Sequence, residues 1–342
     1  MLFNVSIIIP TYNSEKTLPK TLNSIINLDY DKKLIKLIFV DSGSNDSTLN
    51  IINDFIQSYS HLFNSIEAVL LKDRVTTSKA RNEGAKRAIP GSYLFFVDSD
   101  VILRPETLKN LLFILISDPR IGATGALYLT ENPSLFEKAM CCRYLGRISE
   151  GPAGTGALLI RPEIFYRVGY FNEDLGYPKT LYEDLEYIMR IRKAGYKVLI
   201  DGRDPLLHFK PKLRSTSENT DRPRIMKEMI NVSKHYRDYL TIERAYALYK
   251  VLRVAPMIYV FEYLIYILVF FLLLLSIFID PLITLLSLAT ILVISSLYSI
   301  MTYKQCSRVI RILAGPAILL SRILRGVALV YFLLIYRRRL KD

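Results

Sequence analysis

Short apolar runs alternate with longer amphipathic stretches through the first hundred residues, and this alternation limits the fold more than any other feature. The apolar runs are nearly continuous, as in strands that helices cover on both faces, and they are Val5–Pro10, Leu37–Val40, Glu67–Leu71 and Tyr93–Val97. The stretches between them have helical spacing, and they are Ser14–Leu28, Thr48–Ser60 and Ser78–Ala88. Strand and helix in alternation predict an α/β fold built on a parallel sheet.

The pattern continues less regularly to about residue 206. It predicts strands at Ile121–Leu129, Gly156–Arg161 and Tyr196–Ile200, and a helix at Tyr182–Ala194 that Gly195 would end. Ligands of such sheets bind beyond the carboxyl ends of the strands. We therefore expect the functional residues to follow the apolar runs.

The charge of the chain favours a membrane partner over nucleic acid. The net charge is +13, and residues 302–342 contribute +8 of it, from nine Lys or Arg and one acid. These cations lie beside the most apolar part of the chain. Basic clusters in that position usually face the cytoplasm and anionic lipid headgroups. We expect membrane lipids as a partner and no nucleic acid.

Two apolar stretches, near 256–279 and 282–301, are each long enough to cross a hydrocarbon core of about 30 Å. A third stretch, 312–336, contains Arg322 and Arg325, and an Arg at the bilayer centre costs about 2.5–3.5 kcal/mol on insertion scales. We expect two spans followed by interfacial helices, with a third span as the alternative.

The chain divides into a predicted α/β domain, residues 1–240, and a predicted membrane region, residues 241–342. The cysteines are Cys141, Cys142 and Cys306, and they show neither metal-ligand spacing nor an even disulfide framework. The N-terminus lacks the pattern of a signal peptide. These features predict a multi-pass protein of the cell membrane with its α/β domain in the cytoplasm. They do not indicate an oligomeric state.

Polar residues follow three of the predicted strands. Residues 10–13 read Pro-Thr-Tyr-Asn, and residues 41–48 begin with Asp-Ser-Gly. Taken alone, both segments are ordinary turn and helix-cap sequences. Asp98 and Asp100, one residue apart at the end of a buried run, are more specific. Paired carboxylates are typical of sites where a divalent cation shares its oxygen ligands with phosphates.

Two helix starts and one histidine complete the candidate set. Arg81 and Asn82 precede the fourth predicted strand, Glu183 and Asp184 lie in the first turn of the later helix, and His208 follows the final predicted strand. Each has an ordinary interpretation as well. Surface helices carry charges, and acids in a first turn are favoured by the helix dipole.

In this order and spacing, these residues together resemble the family 2 glycosyltransferases of the GT-A fold. The resemblance covers about residues 5–208 and implies a Rossmann-like mixed sheet. It implies an inverting transfer of a sugar from a nucleotide-diphosphate sugar. It also implies a set of nucleotide contacts, namely Pro10, Tyr12, Asn13, Asp41, Arg81, Asn82 and Asp98.

The resemblance also implies a metal site and a catalytic pair. Asp100, with Asp98 and His208, would hold Mg²⁺ or Mn²⁺. Asp184 would act as general base beside Glu183, and residues 154–156 (Gly-Thr-Gly) look like the acceptor loop. Ser42 departs from the family pattern, where many members have a second Asp. With a reference pKa of about 3.9, Asp184 is expected to be ionised at pH 7.

The acid pair bears on the acceptor, because a hydroxyl needs a base whereas a phosphate does not. Retention of Glu183 and Asp184 favours a hydroxyl acceptor, and the apolar region favours a lipid-linked saccharide in glycan or glycoprotein assembly. A polyprenyl (dolichyl) phosphate glycosyltransferase is the alternative enzyme. A processive polysaccharide synthase is less favoured, since two or three spans are few for a channel. A non-catalytic membrane scaffold is the alternative of another class.

Overall fold

The computed structural model describes residues 3–176, 182–209, 242–255, 280–304 and 306–336, with scattered positions between 257 and 275. The chain forms two compact units. Unit 1 is Met1–Glu131 with Gly146–Arg214, and unit 2 is Asn132–Leu145 with Ser215–Asp342. The boundary predicted between residues 240 and 241 lies outside the described residues.

Unit 1 is built on a mixed sheet of nine strands within the described residues. They are β1 Val5–Thr11, β2 Ile35–Asp41, β3 Ser65–Leu70, β4 Tyr93–Val97, β5 Val101–Ile102, β6 Ile121–Thr130, β7 Ile148–Glu150, β8 Ala157–Ile160 and β9 Lys197–His208. The order is β3-β2-β1-β4-β8-β6-β9-β5, and β7 pairs with β9. β1 to β4 are parallel, whereas β8 runs antiparallel to β4 and β6. The predicted α/β fold with a mixed sheet is confirmed.

The helices of the chain follow the predicted alternation. They are α1 Leu18–Ile26, α2 Thr48–Tyr59, α3 Thr77–Ala85, α4 Thr107–Ser117, α5 Leu135–Cys141, α6 Pro162–Val168 and α7 Glu183–Lys193. All of these except α5 belong to unit 1. Ile7, Ile8, Leu37 and Phe39 are fully buried, as expected of strands covered on both faces. α3 lies close to β1, because a Cβ at Gly84 would collide with Ile8.

The parallel pairing of β6 with β9 is interrupted near the middle of both strands. Ala126 is opposite Asp201, but Tyr128 is opposite Leu206, so β9 carries extra residues at 202–205. Irregularities of this kind bend a strand and change the direction of its side chains. β9 then continues to His208, well beyond the predicted strand end at Ile200.

Unit 2 contains α5 and three further helices, α8 Ile242–Val254, α9 Pro281–Thr302 and α10 Arg308–Tyr336. α10 packs against α5, α8 and α9. Cys142 forms a disulfide with Cys306 inside a buried cluster that also contains Ala139, Tyr303 and Ala314. The sequence predicted no disulfide framework. That expectation was wrong for this pair, because two cysteines 164 residues apart show no spacing signal.

One helix among the described residues is long and apolar enough to cross a membrane. It is Thr284–Thr302 within α9, and only 6% of its apolar window is buried. The third predicted stretch, 312–336, which contains Arg322 and Arg325, lies within α10. The predicted span near 256–279 lies mostly outside the described residues. The described part of the chain therefore offers one candidate span and does not support the predicted multi-pass arrangement.

Candidate active site

An open cavity of about 320 Å³ lies at the carboxyl ends of β1, β2 and β4 in unit 1. Parallel strands place the residues that follow them along one edge of the sheet. The cavity lining includes seven of the predicted site residues, namely Pro10, Tyr12, Arg81, Asp98, Asp100, Glu183 and His208. Four other predicted residues are not in that lining, namely Asn13, Asp41, Asn82 and Asp184.

Asp41 joins the ends of β1 and β2. It is 1% exposed, and its carboxylate accepts hydrogen bonds from Thr11 Oγ1 at 3.0 Å and from Ser44 N at 2.9 Å. Asn13 has a left-handed backbone (φ 48°), and its side-chain oxygen accepts a hydrogen bond from Asn45 N at 2.9 Å. Both side chains thus shape the loops beside Tyr12.

Arg81 bridges the end of β4 and the start of α7. Its guanidinium donates to Asp98 Oδ1 at 2.8 Å and to Glu183 Oε1 at 3.2 Å, and the residue is 2% exposed. Burial disfavours its charge, but the neighbouring charges of Asp98 and Glu183 outweigh burial and raise the pKa of Arg81. Glu183 also accepts a hydrogen bond from Thr77 Oγ1 at 3.1 Å. Arg81 therefore holds two carboxylates of the cavity in place.

Asn82, the next residue of α3, is engaged elsewhere. Its amide nitrogen donates to Phe171 O and to Glu173 Oε1, both at 2.9 Å. Its amide oxygen accepts from Phe171 N at 2.9 Å. Asn82 is buried and clamps the 171–173 segment to α3. Its geometry favours this structural role over the nucleotide contact predicted for it.

Asp100 and His208 form a close pair beside the cavity. His208 Nε2 lies 2.9 Å from Asp100 Oδ2, and the pairing of Val101 with His208 in β5 and β9 brings them together. Asp98, the third predicted metal ligand, contacts Arg81 instead. Within the described residues, no three His, Cys, Asp or Glu side chains are grouped as around a metal ion. One carboxylate and one imidazole fit a divalent cation that takes its other ligands from phosphate and water.

Asp184 lies in the first turn of α7, after a left-handed backbone at Tyr182 (φ 72°). A non-glycine residue in this conformation is held there by its surroundings, and such residues cluster at functional sites. Burial raises the pKa of Asp184 to about 7, and the charge of Glu183 contributes. Burial thus disfavours the ionised form of Asp184, which the reference pKa of a carboxyl group in water does not take into account.

Two residues near the site were not found from the sequence. Arg74 lies over the Tyr12 ring, with 4.2 Å from the guanidinium carbon to the ring centroid. The Tyr128 ring lies edge-on to the His208 ring at 5.4 Å between centroids. Tyr128 is one of 23 tyrosines and lies within an apolar strand, so no local motif distinguishes it. Arg74 lies in the polar stretch between β3 and α3, which resembles an ordinary loop.

Comparison with known proteins identifies the domain. Residues 6–171 match the model of the family described as Glycosyl transferase family 2. The poly-beta-1,6-N-acetyl-D-glucosamine synthase of Staphylococcus epidermidis is 25% identical over 211 residues, which are 58% of this chain and 48% of that protein. The poly(ribitol-phosphate) beta-N-acetylglucosaminyltransferase TarS of Staphylococcus aureus is 36% identical over 109 residues, or 32% of this chain and 18% of that protein. The chain thus spans about half or less of these relatives.

A solved structure extends the likeness in fold. The mannosyltransferase PcManGT from Pyrobaculum calidifontis, in complex with GDP-Man and Mn²⁺, has a TM-score of 0.55 and 18% identity, covering 97% of this chain and 88% of that chain. At this identity the likeness concerns the fold. Asp41, Asp98 and Asp100 lie inside the family match, whereas Asp184 and His208 lie beyond it. Residues 6–171 of this chain, just under half of its length, are thus similar to glycosyl transferase family 2, and the fold is GT-A-like.

Proposed function

We propose that this protein transfers a sugar from a nucleotide-diphosphate sugar to a hydroxyl of a membrane-associated acceptor, such as a lipid-linked saccharide in glycan or glycoprotein assembly. Transfer is assisted by Mg²⁺ or Mn²⁺ and inverts the anomeric centre. The observation that carries the proposal is one cavity lined by Tyr12, Asp100, His208 and Glu183, with Asp184 next to Glu183 in α7. The family match supports sugar transfer, and the complex of PcManGT with GDP-Man and Mn²⁺ supports the donor class and the ion.

The donor side of the cavity suits a nucleoside diphosphate. The Tyr12 ring offers a flat apolar face, and the charge of Arg74 lies over it. Asp41, tied to Thr11 and Ser44, fixes the loop ends near Tyr12. A base that stacks on an aromatic ring and a cation beside the diphosphate both stabilise such ligands.

Asp100 and His208 would hold the divalent ion, which neutralises negative charge on a leaving diphosphate when it is bound. The pair is partly exposed to the cavity, with 32% of the Asp100 side chain and 20% of the His208 side chain accessible. Both side chains are therefore accessible to an ion that would also contact phosphate oxygens. Arg81 keeps Asp98 oriented beside this pair.

The two acids of α7 take different roles. The Glu183 carboxylate accepts hydrogen bonds from Arg81 and Thr77 and is therefore held in place by protein side chains. Asp184 has a pKa raised towards neutrality, which suits a group that accepts a proton from an acceptor hydroxyl. We therefore assign the base to Asp184 and a positioning role to Glu183. Direct attack of the hydroxyl on the anomeric carbon inverts that carbon.

We also propose that α9 attaches the protein to the cytoplasmic face of the cell membrane. Leu285, Leu286 and Leu297 are more than half exposed, and basic residues follow α9 at Lys304 and Arg308. Carbonate extraction of cell membranes tests this attachment. The protein is expected to stay in the membrane pellet, and its release into the supernatant would contradict the proposal.

The activity test uses the whole protein in detergent. It is incubated with Mn²⁺, a membrane lipid extract and a panel of nucleotide sugars, and release of nucleoside diphosphate is measured. UDP-linked N-acetylglucosamine and GDP-mannose come first, because the relatives and the structural neighbour are named for these sugars. The variants are Asp100→Asn, Asp184→Asn and the exposed control Asp54→Asn.

We expect release that depends on lipid, metal, Asp100 and Asp184, with the Asp54 control near wild type. Activity of Asp184→Asn on a lipid phosphate would instead favour a polyprenyl-phosphate acceptor, which needs no base. Nucleotide binding without turnover of any donor would favour the scaffold.

A further inference from the structure

A hydrogen bond between two serines joins the Tyr12 side of the cavity to its Asp100 side. Ser14 Oγ lies 2.9 Å from Ser99 Oγ, and both serines line the cavity. Ser14 lies shortly after Tyr12 and accepts a hydrogen bond from its backbone N at 3.4 Å, whereas Ser99 directly precedes Asp100. The bond between the serines therefore connects the loop after β1 with the loop after β4.

The backbone pairing of β1 with β4 stops before these two loops begin. The last pair in the register is Ile8 with Phe96. Beyond this pair, the ladder of backbone hydrogen bonds no longer fixes the distance between the two chains. The hydrogen bond between Ser14 and Ser99 takes over this task at the level of the cavity.

The backbone of Ser14 is anchored independently of its hydroxyl. The residue is 6% exposed, and its N–H donates a hydrogen bond to Thr48 Oγ1 at 2.7 Å, at the start of α2. Its carbonyl accepts hydrogen bonds from Thr17 N at 3.0 Å and from Leu18 N at 2.9 Å, at the start of α1. Removal of the hydroxyl thus breaks the bond to Ser99 and leaves these backbone contacts in place.

We propose that Ser14 and Ser99 are positioning residues: their hydrogen bond sets the separation between the Tyr12 ring and Asp100 that a nucleoside diphosphate with its ion requires. This inference rests on the proposed function, because it takes Tyr12 as the base contact and Asp100 as an ion ligand. A ligand that spans both sides gains affinity when their separation is fixed before it binds. A ligand that occupies one side gains nothing from that separation.

Binding to the whole protein in detergent tests this spacing. UDP with Mn²⁺ spans both sides, whereas uridine lacks the phosphates and occupies the Tyr12 side only. GDP and guanosine serve in the same way if UDP does not bind. Calorimetry gives the Kd of the diphosphate, and competition against it gives the Kd of the nucleoside. Ser14→Ala and Ser99→Ala should each weaken binding of UDP with Mn²⁺ about threefold to tenfold, as loss of one hydrogen bond does. The Kd of uridine should stay within about twofold of wild type.

A double-mutant cycle separates spacing from direct contact with the nucleotide. If each hydroxyl bound the nucleotide by itself, the losses of the two single variants would add. Since we expect the hydroxyls to act through their shared bond, Ser14→Ala/Ser99→Ala should bind UDP with Mn²⁺ about as well as either single variant. Ser99→Thr keeps a hydroxyl and should stay near wild type. The matched control is Ser42→Ala, at another serine of the cavity lining, which should change the Kd of UDP and of uridine by the same factor.

Three results would overturn the inference: additive losses in the cycle, a loss of uridine affinity as large as that of UDP with Mn²⁺, or an unchanged Kd of UDP with Mn²⁺ in Ser99→Ala. In each of these cases the wild-type protein still binds the nucleotide with its ion, so the proposed function stands. If the wild-type protein binds neither UDP nor GDP in the presence of Mn²⁺, the proposed function fails, and this inference fails with it.

Discussion

Replacing Asp184 with Asn should make the protein more stable and inactive at the same time. Burial raises the pKa of Asp184 from its ordinary 3.8 to about 7. The folded protein therefore holds this proton more tightly than the unfolded chain does. As the pH rises from about 4 to about 7, the unfolded chain ionises this carboxyl while the folded protein keeps it protonated, so the stability of the wild-type fold falls; above that range the loss is constant. The amide that Asp184→Asn introduces does not titrate, so the variant avoids this penalty.

The magnitude follows from the two pKa values. A difference of about three units corresponds to roughly 4 kcal/mol once the group is fully ionised. Between pH 5.5 and pH 8, the stability advantage of Asp184→Asn over wild type should grow by about 2 kcal/mol. For a unit of this size, that is a widening of roughly 4–8 °C between the two melting temperatures.

Thermal unfolding followed by circular dichroism at both pH values is the assay. Asp54→Asn, a change at an exposed position of α2, is the control. Its melting temperature should differ from that of wild type by nearly the same amount at both pH values. Activity of Asp184→Asn should fall at least about 100-fold, as expected for loss of a general base. The reasoning is refuted if the gap does not widen with pH, or if the variant is less stable than wild type at pH 8. Retained activity would remove Asp184 as the base.

The bridge made by Arg81 predicts that Arg81→Met destabilises the fold by roughly 3 kcal/mol, because Asp98 and Glu183 lose their shared cation; thermal unfolding measures this, and unchanged stability would contradict it. Asn82→Ala should lower the free energy of unfolding by about 1–3 kcal/mol and leave the nucleotide Kd unchanged. Weakened UDP or GDP binding in a stable variant would instead indicate that Asn82 contacts the nucleotide. His208→Gln should weaken Mn²⁺ binding in the presence of nucleotide about tenfold by calorimetry, and unchanged affinity would exclude His208 as a ligand.

The strands of the parallel sheet were predictable from the sequence, because burial on both faces requires nearly continuous apolar residues. β1, β2 and β4 appear as apolar runs, and their polar ends indicated the site. The extension of β9 was not predictable, because Gly202 and Pro205 are typical of a loop. They belong to the interruption opposite Ala126 and Tyr128, which depends on a neighbouring strand far away in sequence.

The site residues show a similar limit. Arg81 and Asn82 are adjacent in sequence, but neighbours in a helix point about 100° apart. Only the packing of α3 on β1 decides that Arg81 lines the cavity while Asn82 clamps Phe171. The raised pKa of Asp184 could not be predicted from the sequence either, since it depends on burial and on the charge of Glu183. The sequence thus indicated which residues lie near the site, but not which of them line the cavity and which contact other parts of the protein.

The division of unit 2 into two segments has a consequence for synthesis of the protein. α5 belongs to the segment Asn132–Leu145, but its buried cluster includes Tyr303, Cys306 and Ala314 from the other segment. Cys142 leaves the ribosome 164 residues before Cys306. At about 5–20 residues per second this is a delay of roughly 8–30 seconds. During that time α5 lacks the residues that bury it in this cluster. A chain ended at residue 240 would lack them permanently and is expected to aggregate.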